Sequence, residues 1–278
     1  MLTRKQWHKF TRKKVNFFAA GFILVLLLTA VLAEYVAPFP PRFQTRGSVL
    51  VGPSSTHIFG TDALGRDIFS RVVHGTRITV MLGVSATAIA AILGLLQGLI
   101  AGYYGGIWDT LIMRFTDMLL SIPGILLAIS IIAILGPGLN NVIIAIGIGS
   151  MPQFTRVVRG SVLSVKEEDY VTGARVLGQS DFFILLRHIL PNIMGPVIVL
   201  ATLRIAAAVL NAAALSFVGL GAQPPTPEWG AMLNEARRYL SSAWWYTVFP
   251  GGALALTVLS VNILGDSLRD ILDPRTDY

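Results

Sequence analysis

At 278 residues, with 54% hydrophobic and only 13% charged side chains, the chain departs from soluble domains, where about a quarter of residues are charged, and reads as an integral membrane protein. The formal net charge of +7 comes without a basic patch interleaved with aromatics, which excludes nucleic acid as a partner and assigns the excess charge to membrane orientation. The chain has no Cys, and its four His (His8, His57, His74, His188) are scattered, so disulfides, thiolate metal sites and recognisable metal-ligand spacings are excluded as well.

Crossing roughly 30 Å of hydrocarbon takes about 20 apolar residues. Six stretches approach that length, at about 15–33, 78–102, 118–135, 142–156, 193–218 and 247–264. The predicted fold is therefore an all-α polytopic transmembrane bundle of six spans, with a basic head at 1–14 and a membrane domain at 15–278. Arg4, Lys5, Lys9, Arg12, Lys13 and Lys14 place the amino terminus in the cytoplasm by the positive-inside rule. The first apolar run is longer than a signal peptide's and lacks a small-x-small cleavage site, so it reads as an uncleaved anchor. Six crossings return the carboxyl-terminal tail, 265–278, to the same side. An outside loop at 34–77 and a cytoplasmic loop at about 157–191 follow from this topology. Arg42, Arg46, Arg66, Arg71 and Arg77 run against it, but their loop is long, and Asp62 and Asp67 offset part of the charge.

Along the chain, the outside string from His57 to Arg71 combines glycines and Asp-rich turns and leads into a short amphipathic helix. It reads as a solvated loop, a cap on the outer mouth of a pathway, or a surface that meets a delivery protein. Gly94, Gly98 and Gly102 recur every fourth residue and let another helix approach closely. Pro123 predicts a static kink near the cytoplasmic end of the third span.

A polar island, Asp169-Tyr170-Val171-Thr172-Gly173-Ala174-Arg175-Val176-Leu177-Gly178 running on to Pro191, reads as helix, turn, helix on the membrane surface. Tyr170, Ala174 and Leu177 are spaced as an apolar stripe for a partner's groove. Gly178 lets the backbone leave the helix, and Phe182 and Leu186 are expected to pack on the rest of the chain. Arg204 is the one charge deep inside a span and must face a partner or a wet cavity. Its partner is either a substrate carboxylate or a group of a companion subunit. Pro224, Pro225 and Pro227 end the fifth span, and Trp229, Trp244 and Trp245 fit an interfacial aromatic belt.

The island resembles the cytoplasmic coupling loop of inner-membrane permeases of ATP-binding-cassette importers. Their usual pattern is Glu-Ala-Ala, three residues, Gly and a distal Pro; here Thr172 and Gly173 replace the Glu and the first Ala. Gly60-Thr61-Asp62 with Gly65-Arg66-Asp67, the Leu215 to Leu233 string, and the close from Leu264 to Arg275 resemble the dipeptide, oligopeptide and nickel branch of that family. Ala212 stands where many relatives place a Glu, so no carboxylate contact carries over.

The resemblance implies a subunit of the bacterial inner membrane with both termini cytoplasmic, a second homologous permease, two ATPase subunits or domains, and an extracytoplasmic substrate-binding protein. It implies coupling to the ATPases through Tyr170, Thr172, Gly173, Ala174, Leu177 and Gly178, and a pathway that Arg204 lines. Implied substrates are di- or oligopeptides, with glutathione a close variant and nickel or another metal chelate the alternative. ATP and magnesium would belong to the partner ATPases, with no cofactor in this chain: none of its lysines (Lys5, Lys9, Lys13, Lys14, Lys166) follows a glycine, so there is no P-loop. An ion-gradient transporter would call for intramembrane acids and inverted repeats, whereas Glu34 and Asp266 sit at span ends.

Overall fold

The computed structural model describes residues 14–272, which form helices and connecting loops without a strand. Most of the basic head (Arg4, Lys5, Lys9, Arg12, Lys13) and the end of the tail, including Pro274 and Arg275, lie outside the described residues. The first helix, α1 (Lys14–Val31), is followed by the single turn α2 (Ala33–Val36). Next, α3 (Ile68–Tyr104) merges the expected amphipathic helix with the second span, since no proline interrupts 68–104. Asp67 caps it, its Oδ2 accepting from the Ser70 amide and hydroxyl at 2.7 Å each.

The expected third span at 118–135 is not one rod. Helices α4 (Gly106–Leu120) and α5 (Gly124–Leu135) meet at 93° across 121–123, so Met118 belongs to α4 and the predicted kink is a full break. Pro123 has no amide to continue α4; it starts α5 instead, its carbonyl accepting from Leu126 and Leu127 at 2.9 and 3.0 Å. At 12 residues, α5 rises only about 18 Å, short of the hydrocarbon thickness. Among the described residues five helices are long and apolar enough to cross, and six crossings result if the bent pair counts as one.

Helix α6 (Leu139–Val165) overruns the expected end at 156 because its cations are paired. Arg156 Nη2 donates to Asp117 at 2.6 Å, and Arg159 holds both oxygens of Asp109 from Nε and Nη2 at 2.5 and 2.6 Å. These bonds lay α4 along the end of α6. The island forms α7 (Asp169–Val176), α8 (Asp181–Ile184) and a π-helical turn, Leu185–Ile189, that runs into α9 (Leu190–Phe217). Two further helices, α10 (Trp229–Ala236) and α11 (Trp245–Leu272), follow within the described residues, with α11 continuing past 264 into the expected tail.

The most extensive helix pair is α3 with α6. A Cβ built at Gly98 would lie 2.5 Å from Val158 Cβ, one at Gly102 2.7 Å from Val162 Cβ, and one at Gly94 against Phe154 Cβ. The glycine stripe thus meets a β-branched and aromatic ridge on a helix about sixty residues further along the chain. At the end carrying the outside loop, Ile68, Met232, Tyr246 and Trp229 share a core. Trp229 is therefore not an interfacial anchor: it is 1% exposed, and its Nε1 donates to the Val72 carbonyl at 3.0 Å.

Two of the loop's five arginines, Arg66 and Arg71, are likewise internal, whereas Arg42, Arg46 and Arg77 are exposed. Arg66 meets Asp62 at 2.5 Å and Glu235 at 2.7 Å, Arg71 meets Glu235 at 3.2 Å, and the Tyr246 hydroxyl donates to Glu235 at 2.7 Å. Two buried cations balanced by two carboxylates clamp the loop onto α10 and α11, and they present no net charge to the membrane surface. The string that begins at His57 is therefore a built, buried structure rather than a solvated loop.

Candidate functional site

The island packs where α3 and α6 end and α9 begins. Helix α7 starts with Asp169 in its first turn and ends with Arg175 in its last, an order that suits the helix dipole. Its stop is a Schellman turn: the Gly178 amide donates to the Arg175 carbonyl at 3.0 Å and the Gln179 amide to the Ala174 carbonyl at 3.2 Å. Gly178 takes φ +77°, the left-handed conformation this turn requires.

Val171 and Ala174 form the inner face of α7, buried against Val162, Ile184 and Ile189. The expected stripe of Tyr170, Ala174 and Leu177 therefore does not point outward as a unit, because the core takes Ala174. Outward stand Tyr170 at 45% exposure, Thr172, Gly173, Gly178, and Val176 and Leu177 at 82% each. Nor do Phe182 and Leu186 pack on the rest of the chain; they are 71% and 47% exposed. Once Val171 and Ala174 set the inner face by their i, i+3 spacing, the remaining apolar residues have no place inside. The result is an exposed apolar surface around Val176, Leu177 and Phe182. Reading α7 by its spacing missed Val176, whose signal was an apolar residue adjacent to the stripe.

Two contacts tie this surface to α3, and a third fastens the end of α6 to the same helix. The Tyr103 hydroxyl, at the end of α3, donates to Asp181 at 2.6 Å, and the Arg175 guanidinium sits 5.7 Å over the Tyr103 ring. Lys166 Nζ donates to the Gly102 carbonyl at 3.1 Å. Through Tyr103, α7 and α8 are joined to α3, which packs on α6 along the glycine seam.

Arg204, half-buried on α9, opens onto a cavity of about 80 Å³ between α5, α6 and α9, shared with Ser150, Gln153 and Asn211. No carboxylate lines it, and Arg204 has no ion-pair partner among the described residues. The polar companions were legible as isolated Ser, Gln and Asn inside apolar runs, but their meeting was not. Among the described residues, no three His, Asp or Glu side chains gather as a metal site would require.

Two family descriptions match in chain order. Residues 2–53 match the N-terminal TM domain of oligopeptide transport permease C, and residues 94–278 match the binding-protein-dependent transport system inner membrane component. The glutathione transport system permease protein GsiD of Escherichia coli O6:K15:H31 is 51% identical over 270 residues, covering 97% of this chain and 89% of the relative. The protein of the same name from Shigella boydii serotype 4 aligns with the same values. Among solved structures, the MetNI methionine ABC transporter in inward facing conformations superposes with a TM-score of 0.58 at 20% identity, covering 72% of this chain and 96% of that one. An amino acid ABC transporter crystallised with histidines gives 0.54 at 13% identity, over 71% and 92%. At such identities the two structures speak to the fold, which is that of importer permeases. With nearly its whole length aligned at 51% identity and both family descriptions matched, the chain belongs to the multi-pass inner-membrane permease subunits of binding-protein-dependent ATP-binding-cassette importers, in the dipeptide and oligopeptide branch.

Proposed function

We propose that this subunit forms half of the translocation pathway for small peptides, glutathione or a close relative among them, beside a second homologous permease. Two ATPase subunits, which bind the ATP and magnesium, grip the island, and an extracytoplasmic binding protein delivers cargo at the opposite end. The observation that carries the reading is the exposed apolar surface of α7 and α8, tied through Tyr103 to α3, which packs along α6, one wall of the Arg204 cavity. Tyr170, Thr172, Gly173, Leu177 and Gly178 face the ATPase, joined by Val176 and Phe182, while Ala174 holds α7 to its own subunit. Closure of the ATPase pair on ATP carries α7 with it, and coupling follows if the docked surface makes different contacts in the two states. The peptide class comes from likeness to the glutathione permease.

Two experiments test this. In cells lacking the chain, uptake of labelled glutathione and dipeptide falls and returns when the chain is restored, while nickel uptake is unchanged; loss of nickel uptake alone moves the cargo to a metal chelate. Orientation is read with Ser180→Cys, an exposed position just before α8. A membrane-impermeant maleimide labels it in inverted vesicles and not in intact spheroplasts, and the reverse pattern overturns cytoplasmic placement of the island and of both termini.

A further inference from the structure

We infer that Ser150, Gln153, Arg204 and Asn211 form a subsite inside the membrane that holds a carboxylate of the cargo; the inference rests on the peptide-import reading above. Ser150 and Gln153 lie three apart on α6, Arg204 and Asn211 seven apart on α9, so each pair shares one helix face. The two faces meet in one cavity, whose third wall is the start of α5 at Gly124 and Ile125. Glycines keep it open. A Cβ at Gly124 would meet nothing within 4 Å, and one at Gly149 only the Gly124 carbonyl at 3.6 Å.

None of the four side chains has a hydrogen-bond partner among the described residues, and Gln153 Oε1 is fully buried without one. Polar groups at membrane depth are costly unless they face one another, a wet cavity or a ligand. Arg66 and Arg71, both buried, and Arg156 and Arg159 on α6 each meet a carboxylate at 2.5–3.2 Å, whereas half-buried Arg204 meets none.

The chemistry specifies the ligand. A guanidinium presents a planar fork of donors matched to a carboxylate. The amides of Gln153 and Asn211 and the hydroxyl of Ser150 add donors and acceptors of the kind a peptide group pairs with. A metal ion finds neither carboxylate nor imidazole here. At about 80 Å³ the space suits one carboxylate with a water or two rather than a whole peptide. The subsite therefore grips an end of the cargo, and Asn211, exposed on α9, marks its mouth toward the rest of the pathway.

The test uses the complete transporter in proteoliposomes with its binding protein, S-methylglutathione as the acid probe and its dicarboxamide, which keeps the amine but has no carboxylate, as the amide probe. Because the binding protein is the same in every arm, any change in the acid-to-amide ratio on mutation belongs to the permease. Arg204→Gln is expected to lower uptake of the acid at least tenfold and leave the amide's rate unchanged, with Arg204→Lys partly restoring the acid. Equal loss for both probes, or no loss for either, overturns the subsite. A second arm keeps Arg204: a cysteine replacing Asn211 is labelled by a small maleimide, and saturating acid slows labelling at least fivefold while amide does not. Absence of protection by the acid overturns the subsite, and it assigns Arg204 to a carboxylate of the companion permease if that subunit alone protects. If wild-type vesicles accumulate neither S-methylglutathione nor dialanine, the peptide-import reading itself falls, a result distinct from the failure of the subsite.

Discussion

Gly98→Leu is expected to leave almost no monodisperse permease, and Gly98→Ala to lower its stability by about 1–3 kcal/mol, the usual cost of forcing extra atoms into a packed interior. At this position the backbones of α3 and α6 are so close that even a methyl group lies 2.5 Å from Val158 Cβ and 2.9 Å from the Thr155 carbonyl oxygen. Neither is the free end of a flexible side chain, so the strain cannot be relieved by a rotamer change. The helices must separate, and with them the Gly94 and Gly102 contacts on the same face. In the membrane this loss is not offset by hydrophobic burial, since lipid tails are as apolar as the seam; close packing is what holds it. Gly160→Ala is the control, on the same helix pair but with nothing within 4 Å of its Cβ. The check is thermal unfolding of the detergent-purified protein followed by size-exclusion chromatography. Wild-type stability in Gly98→Ala would mean that α3 and α6 do not meet along this stripe.

Gly173→Trp is expected to do the opposite: to leave the subunit folded at normal abundance in the membrane and reduce transport at least tenfold. Gly173 is on the outward side of α7, and a Cβ there meets nothing within 4 Å of its own subunit. The Cβ of an added side chain therefore meets open space on its own subunit, and the side chain extends toward whatever lies against that face. If the ATPase docks there, the variant complex loses both uptake and substrate-stimulated ATP hydrolysis. Unchanged uptake removes α7 from the coupling interface. Gly178 separates steric from conformational effects. At φ +77° an alanine pays about 1–2 kcal/mol for the left-handed backbone, whereas asparagine tolerates it. Gly178→Asn is accordingly expected to transport better than Gly178→Ala.

The outer string shows how a motif legible in sequence acquires its physical sense only in the fold. Read along the chain, Asp62, Arg66, Asp67 and Arg71 are turn-forming and balancing charges. In space, Asp62 and Glu235, a residue 173 positions later, neutralise both arginines, and Tyr246 closes the cluster. Removing one member leaves a buried charge without its counter-ion, which costs more than the pair itself contributes.

Apolar run length, basic flanks and the family strings were enough to read from sequence the membrane class, an all-helical fold, the branch of importer permeases, the glycine stripe and the turn at Gly178. Each depends on residues within a helical turn or on transfer of a continuous segment into lipid, which are local quantities. Tertiary structure alone decided that α4 and α5 break at 93°, that α6 continues through Arg156 and Arg159 because α4 supplies their carboxylates, and that Trp229 is core. It also decided that Ala174 faces in while Phe182 and Leu186 face out, and that Gln153 meets Arg204 across a cavity. Burial and pairing are properties of two surfaces. A periodicity specifies which residues share a face, and only the neighbouring helix specifies whether that face is covered.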